Sequence, residues 1–210
     1  MFADRIEAGL YLADKLKKYK NKPGVVLAVP RGGVPLGYII ARELNMPMEV
    51  ILTKKIGHPT NPEYAIGAVS MTEKIIVPHA GVSEEYIEKE TEKIRKKLRE
   101  NYVKFMGDKK PAELADKIVI LVDDGIATGN TLISTISMLR KRNPAKIVVA
   151  VPVAPKSAVA KLSKMVDELV IPLIPEDFHG VGAFYEDFEQ VSDEDVLGYL
   201  DKLNNNLMNN

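Results

Sequence analysis

KIVILVDDGIATGNT, residues 117–131, decides how this chain folds. Its first half, 118–122, is five apolar residues rich in β-branched types, the composition of a strand buried on both faces of a parallel sheet. Asp123 and Asp124 follow at the strand's carboxyl end. Gly125, Ile126, Ala127, Thr128, Gly129, Asn130 and Thr131 complete a loop of mostly small residues, and Leu132, Ile136 and Leu139 begin a helical pattern. Small residues let a ligand approach the backbone. The unpaired N–H groups and positive dipole end of a helix start favour an anion. Thr128 and Thr131 add hydroxyl donors, and the two carboxylates are acceptors for a sugar diol or ligands for a hydrated divalent cation. Buried strand, paired acids, hydroxyl-bearing loop and helix start together describe a site for a phosphorylated sugar. An ordinary strand-to-helix turn would use one acid as a helix cap, which leaves the rest of the loop unexplained.

The same order of strand, glycine loop and helix occurs earlier. Residues 25–29 (VVLAV) form a second buried-strand candidate, ending in Pro30, Arg31, Gly32 and Gly33, and a helix is expected from about Pro35. Two glycines allow unusual backbone angles, and an arginine at the strand's carboxyl end suits a compact anion such as pyrophosphate. Taken alone, this triplet equally suits a glycine turn beside a surface arginine. No G-K-[ST] sequence marks either loop as a Walker A site.

Residues 119–131 resemble the thirteen-residue phosphoribosyl-diphosphate motif of the type I phosphoribosyltransferases, and VPRGGVPLG resembles their pyrophosphate loop in its bacterial guanine/xanthine form. The resemblance implies Mg²⁺-dependent transfer of 5-phosphoribosyl from phosphoribosyl diphosphate to a nitrogenous base, with release of pyrophosphate. It implies that residues 128–131 grip the 5′-phosphate, that Asp123 and Asp124 hold the ribose hydroxyls and touch the metal, and that Arg31, Gly32 and Gly33 hold the diphosphate. Hypoxanthine-guanine enzymes carry an aspartate before the T-G of the motif; here that position is Ala127. The loop is thus nearer the adenine and orotate forms, and the acceptor base stays open.

Two further segments extend the resemblance. Residues 54–64 are polar and broken by Gly57, Pro59 and Pro62; they are expected as an irregular mobile lid over a polyanion. They are similar to the flexible loop of adenine phosphoribosyltransferase, which implies diphosphate contacts for Lys54 or Lys55 and a catalytic Glu63 that neutralises or protonates a leaving base. Each also suits a solvated loop. Residues 175–187 are aromatic, acidic and glycine-punctuated, and are similar to the carboxyl-terminal hood of hypoxanthine-guanine phosphoribosyltransferase. That likeness makes Phe178 a base-stacking residue and Glu186 a metal contact, and the aromatic hood favours a purine. A small aromatic cluster under a surface loop would look the same.

The remaining features set bounds. Strand–helix alternation (strands also at 49–53, 65–70, 74–77, 146–153 and 168–173) predicts an α/β fold with a doubly wound, mostly parallel sheet. A helical insertion and a small hood are added to it. One domain is expected over 1–203, with lid and helical insertion at 54–110, the hood at 174–190 and a disordered tail at 204–210. The helix at 83–105 has an apolar stripe and a basic run, 93–99, that its glutamates offset; it reads as a solvated face beside the sheet, at a homodimer contact. Lysine plus arginine and aspartate plus glutamate both number 29, so no nucleic-acid partner is expected. The chain has no cysteine, which excludes disulfides and thiolate chemistry. No apolar run nears roughly 18 residues, so no membrane partner is expected, and a cytoplasmic setting is. His58, His79 and His179 share no ligand spacing. The rival classes are a ligand-sensing regulator on the same fold, which net neutrality counts against, and a diphosphokinase subunit, which needs an ATP site and usually two repeated domains.

Overall fold

The apolar runs at both glycine loops become neighbouring strands of one sheet. The structure, a computed structural model, describes residues 1–77 and 81–208. In chain order its elements are α1 (Arg5–Lys15), β1 (Gly24–Ala28), α2 (Gly33–Leu44), β2 (Met48–Val50), β3 (Thr53–His58), β4 (Asn61–Ser70), β5 (Lys74–Ile76), α3 (Glu84–Met106), β6 (Ile118–Val122), α4 (Asn130–Arg140), β7 (Lys146–Ala150), α5 (Lys156–Leu162), β8 (Glu168–Val170) and α6 (Asp193–Met208). Five strands pair in the order β2-β1-β6-β7-β8, and every pairing is parallel.

Alternate residues of the central strands feed two cores, the signature of helices on both faces. Val26, Ala28, Ile120, Val122 and Val148 pack with α1, α2 and α6. Val25, Leu27, Val119, Leu121 and Ile147 pack with α4 and α5. The chain leaves β1 through α2 toward β2 and returns on the other side at β6, so strand order reverses between β1 and β6. Ligands of open α/β sheets bind beyond the carboxyl ends of the strands at such a reversal.

Three expectations are corrected. Residues 54–64 are not irregular. They belong to the antiparallel β3–β4 hairpin, which pairs from Thr53↔Ser70 to His58↔Asn61 with register shifts at Gly57. With β5 this makes a separate three-stranded sheet, whose Ile56, Ile66 and Val69 pack on Ile87, Ile94 and Leu98 of α3. Glycine and two prolines near the tip hide a strand whose inward residues are apolar. Secondly, residues 204–208 are helical, as the end of α6. That helix carries the start signals Ser192 and Asp195, joined by reciprocal capping bonds of 2.8 and 3.0 Å, and its Val196, Leu200 and Leu203 are buried. Thirdly, β2 ends at Val50 rather than continuing to 53. His79 lies outside the described residues. Among the described residues no helix is long and apolar enough to cross a membrane.

Ile120 is fully buried in the strand that carries the two acids. Ile120→Ala is expected to lower unfolding stability by about 2–5 kcal/mol, read from urea titrations monitored by circular dichroism.

Candidate functional site

The β1–β6 register runs from Gly24↔Ile118 to Ala28↔Val122. The two strands therefore end level, and their loops emerge side by side. An ideal Cβ on Gly32 would lie 2.0 Å from Asp124 Oδ2, and one on Gly33 would lie 2.7 Å from the Val122 carbonyl oxygen and 3.0 Å from Asp123 Cα. Gly32 has φ −60° and ψ −31°, ordinary helical values, so its glycine is required by space and not by backbone angle, a correction to the sequence reading. Helix α2 accordingly starts at Gly33, two residues before the expected Pro35. Across the crevice Gly129 has φ 78°, a left-handed conformation that favours glycine.

The loop before α4 divides by residue. Ala127, Thr128, Asn130 and Thr131 are exposed; the N-cap of α4 is Gly129, with no side-chain cap bond, and its first turn holds no acid. Asp123 and Asp124 are thus not helix caps, and the anion-favouring end of α4 faces outward. Ile126 departs from its expected role: its side chain is core and its N–H donates to the Val153 carbonyl at 2.9 Å. The space beside Gly125 is filled by Val181 and Val153.

The two acids are held differently. Asp124 Oδ2 accepts from Arg5 Nε at 3.0 Å and Arg5 Nη2 at 2.9 Å, and its carbonyl accepts from the Tyr185 hydroxyl at 2.7 Å. Asp123 accepts the Asp124 N–H at 2.9 Å, and among the described residues no cation pairs with it. Burial first, and the Asp124 charge second, push the Asp123 carboxyl well above the ordinary aspartate range.

The remaining expected site residues are placed as follows. Arg31 is exposed, with Nη1 3.6 Å from Asp193 Oδ1 on α6; its peptide bond to Pro30 is cis. Lys54, Lys55 and Glu63 line a groove with Tyr86, Lys93 and Lys97 of α3, and no residue of the 123–131 loop lines it. Lys55 pairs with Glu63 at 2.7 Å. The structure therefore does not bring these three to the acids. Phe178 stacks on Phe184, with centroids 5.7 Å apart and planes 16° from parallel. Glu186 is exposed and its N–H donates to the Phe2 carbonyl. Among the described residues no three His, Cys, Asp or Glu side chains are placed to hold a metal ion, so Asp123, Asp124 and Glu186 do not converge into a metal cage. His58 sits at the hairpin tip against Tyr64, and His179 is exposed in the hood. The sequence reading missed Arg5, whose role comes from packing and carries no motif; Tyr185, read from sequence with Phe178 and Phe184 as an aromatic that could stack on a base, is instead buried with its hydroxyl on the Asp124 carbonyl.

A family profile described as the phosphoribosyl transferase domain matches residues 5–189. The crystal structure of TT1426 from Thermus thermophilus has a TM-score of 0.84 at 39% identity, covering 96% of this chain and 98% of that one. The AQ2163 protein of Aquifex aeolicus has a TM-score of 0.54 at 16% identity, over 85% of this chain and 76% of its own, a likeness of fold. A Mycobacterium tuberculosis protein, provisionally named a phosphoribosyl transferase, is 33% identical over 207 residues, 96% of this chain and 47% of its own length. The chain thus spans about half the length of the curated relatives it matches.

A buried carboxyl with a raised folded pKa contributes stability that is full below its unfolded value of about 3.9 and is lost as pH rises through the folded value. Asparagine at 123 escapes that loss. The melting temperature of Asp123→Asn minus that of the wild type is therefore expected to grow as pH rises from about 4 to about 8; thermal melts across that range would show a flat difference if burial of Asp123 carried no such penalty.

Proposed function

The chain belongs to the phosphoribosyl transferase domain family, and we propose that it transfers 5-phosphoribosyl from phosphoribosyl diphosphate to a ring nitrogen of a purine base, releasing pyrophosphate. The observation that carries this is the contact of the two glycine loops, with Gly32 against Asp124 at the end of paired strands. One extended anionic sugar then reaches both.

In this proposal the exposed Thr128, Asn130 and Thr131, with the first-turn N–H groups of α4, bind the 5′-phosphate. Asp123 accepts hydrogen bonds from the ribose hydroxyls. Arg31 turns from Asp193 to the diphosphate, and the Gly32–Gly33 backbone, free of Cβ atoms, lets that group approach. Bond breaking at the anomeric carbon builds positive charge on the ring and negative charge on the departing diphosphate. The residues contribute orientation and fixed charge at both ends and need no nucleophile. The stacked pair Phe178–Phe184 offers a planar surface for a purine ring.

Mg²⁺ would supply charge neutralisation on the leaving diphosphate. Asp124 Oδ2 already accepts from Arg5, so the acids suit an ion carried on substrate oxygens and water, with Asp123 free to accept from that water.

The test is pyrophosphate release from phosphoribosyl diphosphate and Mg²⁺ with a panel of free bases. Turnover is expected with at least one purine; tight binding of the diphosphate sugar without turnover on any purine or pyrimidine would assign the chain to the ligand-sensing class. Asp123→Asn is expected to lower kcat/KM for phosphoribosyl diphosphate by about 10-fold, the cost of losing one buried hydrogen-bond acceptor.

A further inference from the structure

We infer that Arg5 is a positioning residue of this site: from the first turn of α1 it holds the Asp124 carboxylate against Gly32 and leaves Asp123 as the acid that meets the ribose. This rests on the transferase function proposed above and divides the work of the paired acids.

The guanidinium of Arg5 is fixed on three sides. Nε and Nη2 both donate to Asp124 Oδ2. Nη1 donates to the Glu189 carbonyl at 2.8 Å. The ring of Phe188 lies 3.9 Å from Cζ, a cation–π distance. The Arg5 and Asp124 side chains are 12% and 16% exposed, so the pair is shielded from the solvent that makes surface ion pairs weak. The backbone around Arg5 is tied down too. Asp4 caps α1 by accepting the Ile6 and Glu7 N–H groups at 2.8 Å, and Phe2 pairs with the hood through bonds to Phe184 and Glu186.

The other face of Asp124 is where the consequence lies. Its Oδ2 fills the space of a Cβ at Gly32, and its carbonyl is taken by Tyr185. A carboxylate so enclosed has little room for a ribose hydroxyl, and it sets the position of the loop that the diphosphate must meet. Asp123 is buried too, but among the described residues no cation pairs with its carboxyl, which leaves it the acid that is not already claimed. An arginine that served stability alone would need no contact with an atom packed on the Gly32 loop.

The test compares wild type, Arg5→Gln, Arg5→Lys, Asp124→Asn and the double variant Arg5→Gln/Asp124→Asn. Binding of phosphoribosyl diphosphate with Mg²⁺ is measured by calorimetry, KM and kcat by pyrophosphate release, and folding by near-ultraviolet circular dichroism. Arg5→Gln and Asp124→Asn are each expected to weaken binding by about 10- to 100-fold, the usual loss when a supporting partner is removed. KM should rise more than kcat falls, and Arg5→Lys should recover part of the loss. The double variant should bind no worse than the weaker single one, because both changes break one contact. Arg5→Gln binding within about twofold of wild type, or losses that multiply in the double variant, would overturn the inference while leaving the transferase function standing. If Arg5→Gln does not fold, Arg5→Lys and Asp124→Asn carry the comparison: losses that multiply in their double variant overturn the inference, and losses that do not multiply support it. A wild type that binds no phosphoribosyl diphosphate removes the function itself and this inference with it.

Discussion

Five parallel rungs between β1 and β6 place everything else. Backbone hydrogen bonds fix the register, and a slip of one residue would reverse the face of every side chain on the strand. Both strands here are buried on two faces, so a slip would not expose apolar residues to water. It would move the loops relative to each other by about 3.3 Å. Gly32 and Asp124 fit only because the strands end level, and the absent Cβ at Gly32 is the mark of that fit. The site is a property of strand pairing before it is a property of any side chain.

Pairing two acids at the end of a buried strand has an electrostatic cost. Burial disfavours ionisation, and a like charge alongside adds to the effect. The fold treats the two differently. Asp124 receives a guanidinium and stays in a polar setting made by Arg5 and Tyr185. Asp123 receives one N–H and carries the penalty. Strain of this kind is often found where function needs a group that water alone would not leave in place. The N-terminal helix and the hood both contribute to Asp124, so segments far apart in the chain meet at its middle.

The sequence made the centre of this arrangement readable and its surroundings only partly so. The runs VVLAV and IVILV are apolar without alternation, which distinguishes a two-faced parallel strand, and the acid–glycine–threonine loop announces an anion site. Arg5 could not be found in this way. It is one basic residue in an amphipathic helix, 119 positions from the carboxylate it holds, and no local period links them. The β3–β4 hairpin was obscured because Gly57, Pro59 and Pro62 mimic a loop, although Ile56, Ile66 and Val69 carry an inward face. Helix α6 was readable in principle: Ser192, Asp195 and the 196, 200, 203 spacing are start and face signals. A polar, asparagine-rich end obscured them.

The hairpin carries charges that suit a polyanion and rests them against a helix. Lys54, Lys55 and Glu63 are charged and exposed, as a lid over a polyanion requires, yet in this structure they face α3. The Lys55–Glu63 pair satisfies each charge locally, and exposed pairs of this kind are weak. An incoming polyanion therefore competes with little for Lys55. What resists movement is the packing of Ile56 and Ile66 on Ile87 and Ile94, together with the Tyr86 hydroxyl, which donates to the Gly57 carbonyl at 2.9 Å. The register shifts on both sides of Gly57 mark where the ladder is already interrupted. The apolar base of the hairpin is thus the anchored part, and the tip beyond Gly57 the less constrained one.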